Sequence, residues 1–155
     1  MKSYIGTKLI EAEPAPWVSG TYPDGTDYAG VQPADWPIPA EAKVKNGYKV
    51  RYADGYESWS PKDVFEEAYR PTDGMNFGLA IEAMKKGFKV RRRGWNGKGI
   101  HIELQCPDEY SKMTHPYIFI DTTGLQTDNP EAPKNRVPWL ASQTDMLSDD
   151  WEIVE

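Results

Sequence analysis

MNFGLAIEAMKKGFKVRRRGWNGKGIHIELQ, residues 75–105, contains one change of period that decides the fold of the second half of the chain. Phe77, Ala80, Ile81 and Met84 recur at helical spacing and form a single apolar stripe. Asn76 is placed to cap that helix and Gly87 to stop it. From Phe88 the repeat shortens to two. FKVRR alternates as a strand does, WNGKG turns the chain, and IHIELQ alternates again.

Working outward, YIFIDTTG (117–124) is predicted as a third strand ending in a turn, and DNPEAPKN (128–135) as a proline-rich loop. SQTDML (142–147) reads as a short helix capped by Ser142 and Asp145, and WEIV (151–154) as a closing strand. Leu140, Met146, Leu147 and Trp151 read as core. The expected fold is α+β: a small antiparallel sheet of about four strands packed by one main helix. PTDG (71–74) separates this domain, residues 75–155, from a hairpin-plus-helix segment, residues 1–70. In that segment YIGTKLIEA (4–12) is predicted as a strand. Residues 13–43 are expected to be a long loop, because PAP, PDG, QPADWP and IPAEA scatter prolines through them. GYKVRY and YESWS flank Ala53-Asp54-Gly55 as a hairpin. SPKDVFEEAY is a helix start with Ser60 as cap, Pro61 in the first turn and Asp63 near the positive end. Trp59 and Tyr56 read as core of this segment.

The chain has 155 residues, 39% hydrophobic and 27% charged, which is a soluble folded composition. It has no apolar run long enough to span a membrane, and its first residues lack the apolar stretch of a secretory signal, so the cytoplasm is expected. Cys106 is the single cysteine and cannot form an internal disulfide. With only His101 and His115 as histidines, no zinc-ligand spacing occurs, and neither metal nor cofactor is expected. A net charge of -6 argues against a binder of polymeric nucleic acid. A small anionic ligand answers to local charge instead.

That local charge is concentrated. Lys85, Lys86, Lys89, Arg91, Arg92, Arg93 and Lys98 lie within residues 85–98, with no acidic residue among them. Strand alternation sends Arg91 and Arg93 to one face and Arg92 to the other, so the first two join the candidate ligand set. A guanidinium donates to phosphate in pairs. The amides of the WNGKG turn, with Asn96 and Lys98, can hold an anion, and Trp95 offers a plane for a purine. A second cluster, VPWLASQTDMLSDDWEIV (137–154), supplies Trp139, Ser142, Gln143, Asp145 and Asp149 as partners for ribose hydroxyls or base edges. Against these stand plainer roles. Strand edges favour basic residues, Ser142 and Asp145 suit a helix cap, and tryptophan suits a core. No nucleophile with a base partner is visible, and no catalytic residue is nominated.

Both motifs together, the stretch from Met75 to Leu104 and PWLASQTDMLSDDWEIVE, closely resemble a small-domain family common in phages and prophages, which includes the second type of Thoeris anti-defence protein. The resemblance spans essentially residues 75–155. It implies a non-enzymatic sponge that sequesters cyclic ADP-ribose isomers, and in some members cyclic oligonucleotides of CBASS immunity. It also implies a homotetramer with ligands held between protomers, acting in the cytoplasm of the infected host. Trp95 matches a pocket tryptophan of the motif, and Asp149 stands where some relatives carry Asn. Residues 1–70 are an addition to that domain and look like a segment of other phage proteins. Two other function classes remain open: a virion-associated interaction protein, and a nucleotide-degrading enzyme.

Overall fold

The computed structural model of the protein describes residues 1–3, 6–33 and 36–154. The chain divides into two compact units, Met1–Tyr69 and Arg70–Glu155.

The amino-terminal unit holds two three-stranded antiparallel sheets. One has the order β1-β5-β6, built from β1 (Glu11–Pro14), β5 (Gly47–Arg51) and β6 (Glu57–Pro61). The expected hairpin is present: Gly55 takes φ +85° at its turn, and Asp54 Oδ1 accepts from the Tyr56 amide at 3.0 Å. The first strand is shorter and later than expected. Glu11 pairs with Arg51, the last residue of β5, so residues 6–10 run past the hairpin without a ladder partner. Tyr4 and Ile5 lie outside the described residues. The second sheet corrects the expected long loop. β2 (Trp17–Thr21), β3 (Asp27–Val31) and β4 (Lys43–Lys45) pair in the order β3-β2-β4. The prolines punctuate rather than forbid these strands. Pro16 precedes β2, Pro23 lies in the β2–β3 turn, and Pro33, Pro37 and Pro39 lie between β3 and β4.

Helix α1 (Lys62–Ala68) follows β6, and Pro61 occupies its N-cap without a side-chain capping bond. Ser60 does not cap. It is a ladder residue opposite Tyr48, and its hydroxyl turns to the Pro61 carbonyl at 3.4 Å. The aromatic packing is also redistributed. Trp59 donates to the Ala15 carbonyl at 2.8 Å and is partly buried, whereas Tyr56 stands 64% exposed.

The carboxy-terminal unit is an α+β layer pair. Helix α2 (Phe77–Lys85) begins where Asn76 accepts from the Leu79 amide at 2.9 Å, and Gly87 follows it with φ +90°. It packs on one face of a five-stranded antiparallel sheet in the order β10-β9-β8-β7-β11. The strands are β7 (Lys89–Arg92), β8 (His101–Gln105), β9 (Tyr117–Asp121), β10 (Arg136–Pro138) and β11 (Trp151–Val154). The fifth strand, β10, was not expected. It is three residues long and ends in a proline, which an edge position tolerates. Ala80, Ala83 and Met84 of α2 meet Val90, Ile102 and Trp151 in the core, with Met75 joining from the bridge it forms to Trp151. Of the residues of the carboxy-terminal motif read as core, only Trp151 is. Leu140 is 91% exposed, Leu147 79% and Met146 39%. The helix α3 (Gln143–Met146) is only four residues long, so most of its surface has nothing to pack against.

Candidate functional site

β7 and β11 pair with Arg92 opposite Trp151 and Arg91 opposite Glu152. Side chains of opposed residues share a face, so Arg92 lies on the helix-covered face with Val90, while Arg91 lies on the open one. β7 ends at Arg92. Arg93 therefore belongs to the following turn, and strand alternation does not place it with Arg91.

Arg92 is the hub of the site. Its Nε donates to Asp150 Oδ1 at 2.8 Å, and its Nη1 to Asp145 Oδ1 at 3.0 Å. The same Asp145 oxygen accepts from the indole Nε1 of Trp95 at 3.1 Å, while Asp145 Oδ2 accepts from the Ser142 hydroxyl and amide at 2.7 and 3.1 Å. Asp150 Oδ2 accepts from the Gly94 amide at 2.9 Å. The cap expected of Ser142 is present; Asp145, expected only to meet the positive end of the helix, completes a reciprocal capping box with it and ties that box to the tryptophan. Burial disfavours the Asp145 charge, but the bonds from Ser142, Trp95 and Arg92 outweigh it and pull the carboxyl down to about 2. The Arg92 guanidinium likewise lowers Asp150, and the Asp150 carboxylate raises Arg92. All three groups are charged at neutral pH.

Above this clamp stands an aromatic cluster. The Trp95 ring centroid lies 5.9 Å from Trp139 and 5.4 Å from Trp151, both at steep angles. Phe77 completes it, 6.1 Å from Trp139 and 5.2 Å from Trp151. Trp151 is sealed, whereas Trp95 and Trp139 remain half-buried and keep part of each ring accessible.

The candidate residues fall into three groups. Trp95, Trp139, Ser142 and Asp145 are brought together, with Ser142 and Asp145 committed to holding the helix cap and the indole. Arg93, Asn96 and Lys98 are exposed on the turn after β7, Gln143 on α3, and Asp149 on the segment between α3 and β11. Arg91 is drawn away: its Nε donates to Glu152 at 2.7 Å on the opposite face. The residues not nominated from sequence are Arg92, Asp150 and Phe77. Alternation already separated Arg92 from Arg91; the missing information was that β11 would lay Asp150 and Trp151 beside it.

Among the described residues, one group could hold a metal ion. His101, Glu103 and Asp121 place ligand atoms within 4.8 Å of one another on the open face. Asp121 already accepts from Arg136 at 2.7 Å and from the Thr123 hydroxyl at 2.6 Å, and these bonds hold its carboxyl well below the usual carboxylate range. His101 Nε2 lies 2.7 Å from Glu103. Arg136, Thr123 and the His101–Glu103 contact thus already engage these three side chains.

A family model described as the Thoeris anti-defense 2-like domain matches residues 75–154, and the chain belongs to that family of phage anti-defence domains. A curated relative, Thoeris anti-defense 2 of Bacillus phage SP01, is 33% identical over 89 residues, covering 52% of this chain and 94% of that protein. The family model leaves residues 1–74 outside it. Among the described residues no helix is long and apolar enough to cross a membrane.

Proposed function

We propose that the carboxy-terminal unit captures a small cyclic nucleotide signal of bacterial immunity, a cyclic ADP-ribose isomer first and a CBASS cyclic di- or trinucleotide second, and holds it without degrading it. The observation that carries this reading is Trp95: a half-buried indole fixed by Asp145, beside Trp139, next to a turn carrying Arg93 and Lys98. An indole fixed in advance loses little freedom when a base stacks on it, and such a stack is worth about 1–3 kcal/mol. Family membership supports the anti-defence setting, and the host cytoplasm is where such a signal would be met.

Chemistry at the site supports sequestration rather than turnover. Asp145 and Asp150 are held ionised by Arg92, well below neutral pH, and neither is available as a general acid there. A sponge needs slow release, which enclosure between subunits supplies by excluding water. Leu140, which follows Trp139 in the chain, and Leu147, which follows α3, are both exposed and support a second copy covering them, in a homo-oligomer of the tetrameric kind. The test is a calorimetric titration of the full chain with a panel of cyclic ADP-ribose isomers and cyclic di- and trinucleotides. At least one member should bind with submicromolar affinity and lose about tenfold or more on Trp95→Ala. Failure of the whole panel to bind would falsify the reading.

A further inference from the structure

Of the seven cations in residues 85–98, four face carboxylates. Lys85 meets Glu82 at 2.8 Å, Lys89 meets Glu103 at 3.8 Å, Arg91 meets Glu152 at 2.7 Å, and Arg92 meets Asp150 at 2.8 Å. Among the described residues, Lys86, Arg93 and Lys98 have no carboxylate within ion-pair distance. Lys86 caps the carboxy-terminal end of α2, whose partial negative charge it meets. Arg93 and Lys98 bracket the segment containing Trp95.

The backbone of that segment is held rigidly by a neighbouring loop. Gly99 takes φ +82°, and a Cβ there would run into the carbonyl oxygen of Gly124. A Cβ at Gly97 would lie 2.9 Å from Ile100 Cδ1 and 3.3 Å from Leu125 Cδ1. The Gln126 amide donates to the Lys98 carbonyl at 2.9 Å, and the Leu125 amide to Thr122 at 3.0 Å. The turn therefore lies flush on residues 122–126, an approach that requires glycine at position 99, where both the left-handed backbone and the Gly124 carbonyl exclude a side chain. Its donors are uncommitted. Among the described residues the amides of Asn96, Gly97, Lys98 and Gly99 have no acceptor within the chain, whereas the Gly94 amide is already spent on Asp150.

Resting on the nucleotide-binding reading above, we infer that the phosphate of the ligand sits at residues 93–99, held by the amides of Asn96–Gly99 and by Lys98 and Arg93, and not by the strand arginines. Arg92 spends Nε, Nη1 and Nη2 on Asp150 and Asp145, and the charge of Arg91 is offset by Glu152 on the opposite face of the sheet, so neither is a free cation at this turn. Free amides on a turn already packed against its neighbouring loop lose little freedom on meeting phosphate, and the two unpaired cations add charge-assisted bonds. The base then lies toward Trp95 and Trp139, and the phosphate outward along the turn.

The experiment compares two probes, cyclic ADP-ribose and the unphosphorylated nucleoside adenosine, on the full chain by calorimetry. The inference expects the double variant Arg93→Gln/Lys98→Gln to lose roughly 30-fold or more for cyclic ADP-ribose, with adenosine affected less than about threefold. Trp95→Ala weakens both probes. Gly124→Ala, whose Cβ would lie 2.7 Å from the Gly99 carbonyl oxygen, shifts the turn and reproduces the phosphate-selective loss with no ligand contact of its own. Arg91→Gln stays within about threefold of the unmodified chain for both probes. The inference is overturned if the double variant binds cyclic ADP-ribose as the unmodified chain does, or if Arg91→Gln loses as much as the double variant. Should the unmodified chain bind neither probe nor any of the panel, the underlying reading has failed, a distinct outcome.

Discussion

Replacing Arg92 with methionine tests the clamp that holds the site. The change preserves most of the side-chain length and removes the guanidinium from between Asp145 and Asp150. Held at about 2 against an ordinary 3.8, the Asp145 carboxyl contributes about 2 kcal/mol to stability at neutral pH, part of it through Arg92. Asp150 loses its principal partner as well. Leaving two carboxylates unpaired at sites with side-chain exposure of 14% and 26% should cost about 2–3 kcal/mol, less than a fully buried pair would. Denaturant unfolding followed by tryptophan fluorescence reads this directly, because Trp95 and Trp151 both bond to Asp145. The sign with pH follows from the depressed carboxyl. Its contribution is complete above about pH 4 and disappears as pH falls toward about 2. The unmodified chain should lose stability over that window, and the variant should lose less. A double-mutant cycle with Asp145→Asn should show coupling of about 1 kcal/mol or more. A cost of about 0.5 kcal/mol or less, as for an exposed pair, would refute the clamp.

Other expectations follow from single contacts. Ser142→Ala removes the hydroxyl that caps α3 and should lower stability by about 1 kcal/mol in the same unfolding assay. Gly99→Ala combines left-handed strain with collision against Gly124 and should cost about 2 kcal/mol or more, whereas Gly55→Ala, with open space around it, should cost only about 1 kcal/mol. Asp121→Asn weakens the bond to Arg136 and should remove the acid sensitivity this carboxylate contributes, flattening the decline in stability below about pH 4.

Local signals in the sequence carried the parts of the fold that local chemistry decides. Asn76 and Gly87 bound α2 because a capping oxygen and a left-handed residue act within one turn. Ser142 and Asp145 form the cap for the same reason. What sequence could not supply was pairing across distance. β2, β3 and β4 are short and punctuated by prolines that sit at their ends, so neither length nor alternation distinguishes them from a loop. Ser60 resembles a cap, yet the ladder with Tyr48 claims it. The site divides the same way. Trp95 was legible as an aromatic beside a glycine-rich turn, and its setting came from Arg92, some 50 residues before its carboxylate partners. The cations that looked most available from alternation included Arg91, which Glu152 neutralises from the last strand.

The claim of capture without chemistry is tested most directly by recovering the ligand. Purified chain is loaded with a cyclic ADP-ribose isomer, washed free of excess and heat-denatured, and the released nucleotide is identified by mass and retention time. The account predicts the same isomer, intact and near stoichiometric, and almost none from the Trp95→Ala chain. Recovery of a linear or cleaved nucleotide, or equal recovery from both chains, contradicts it.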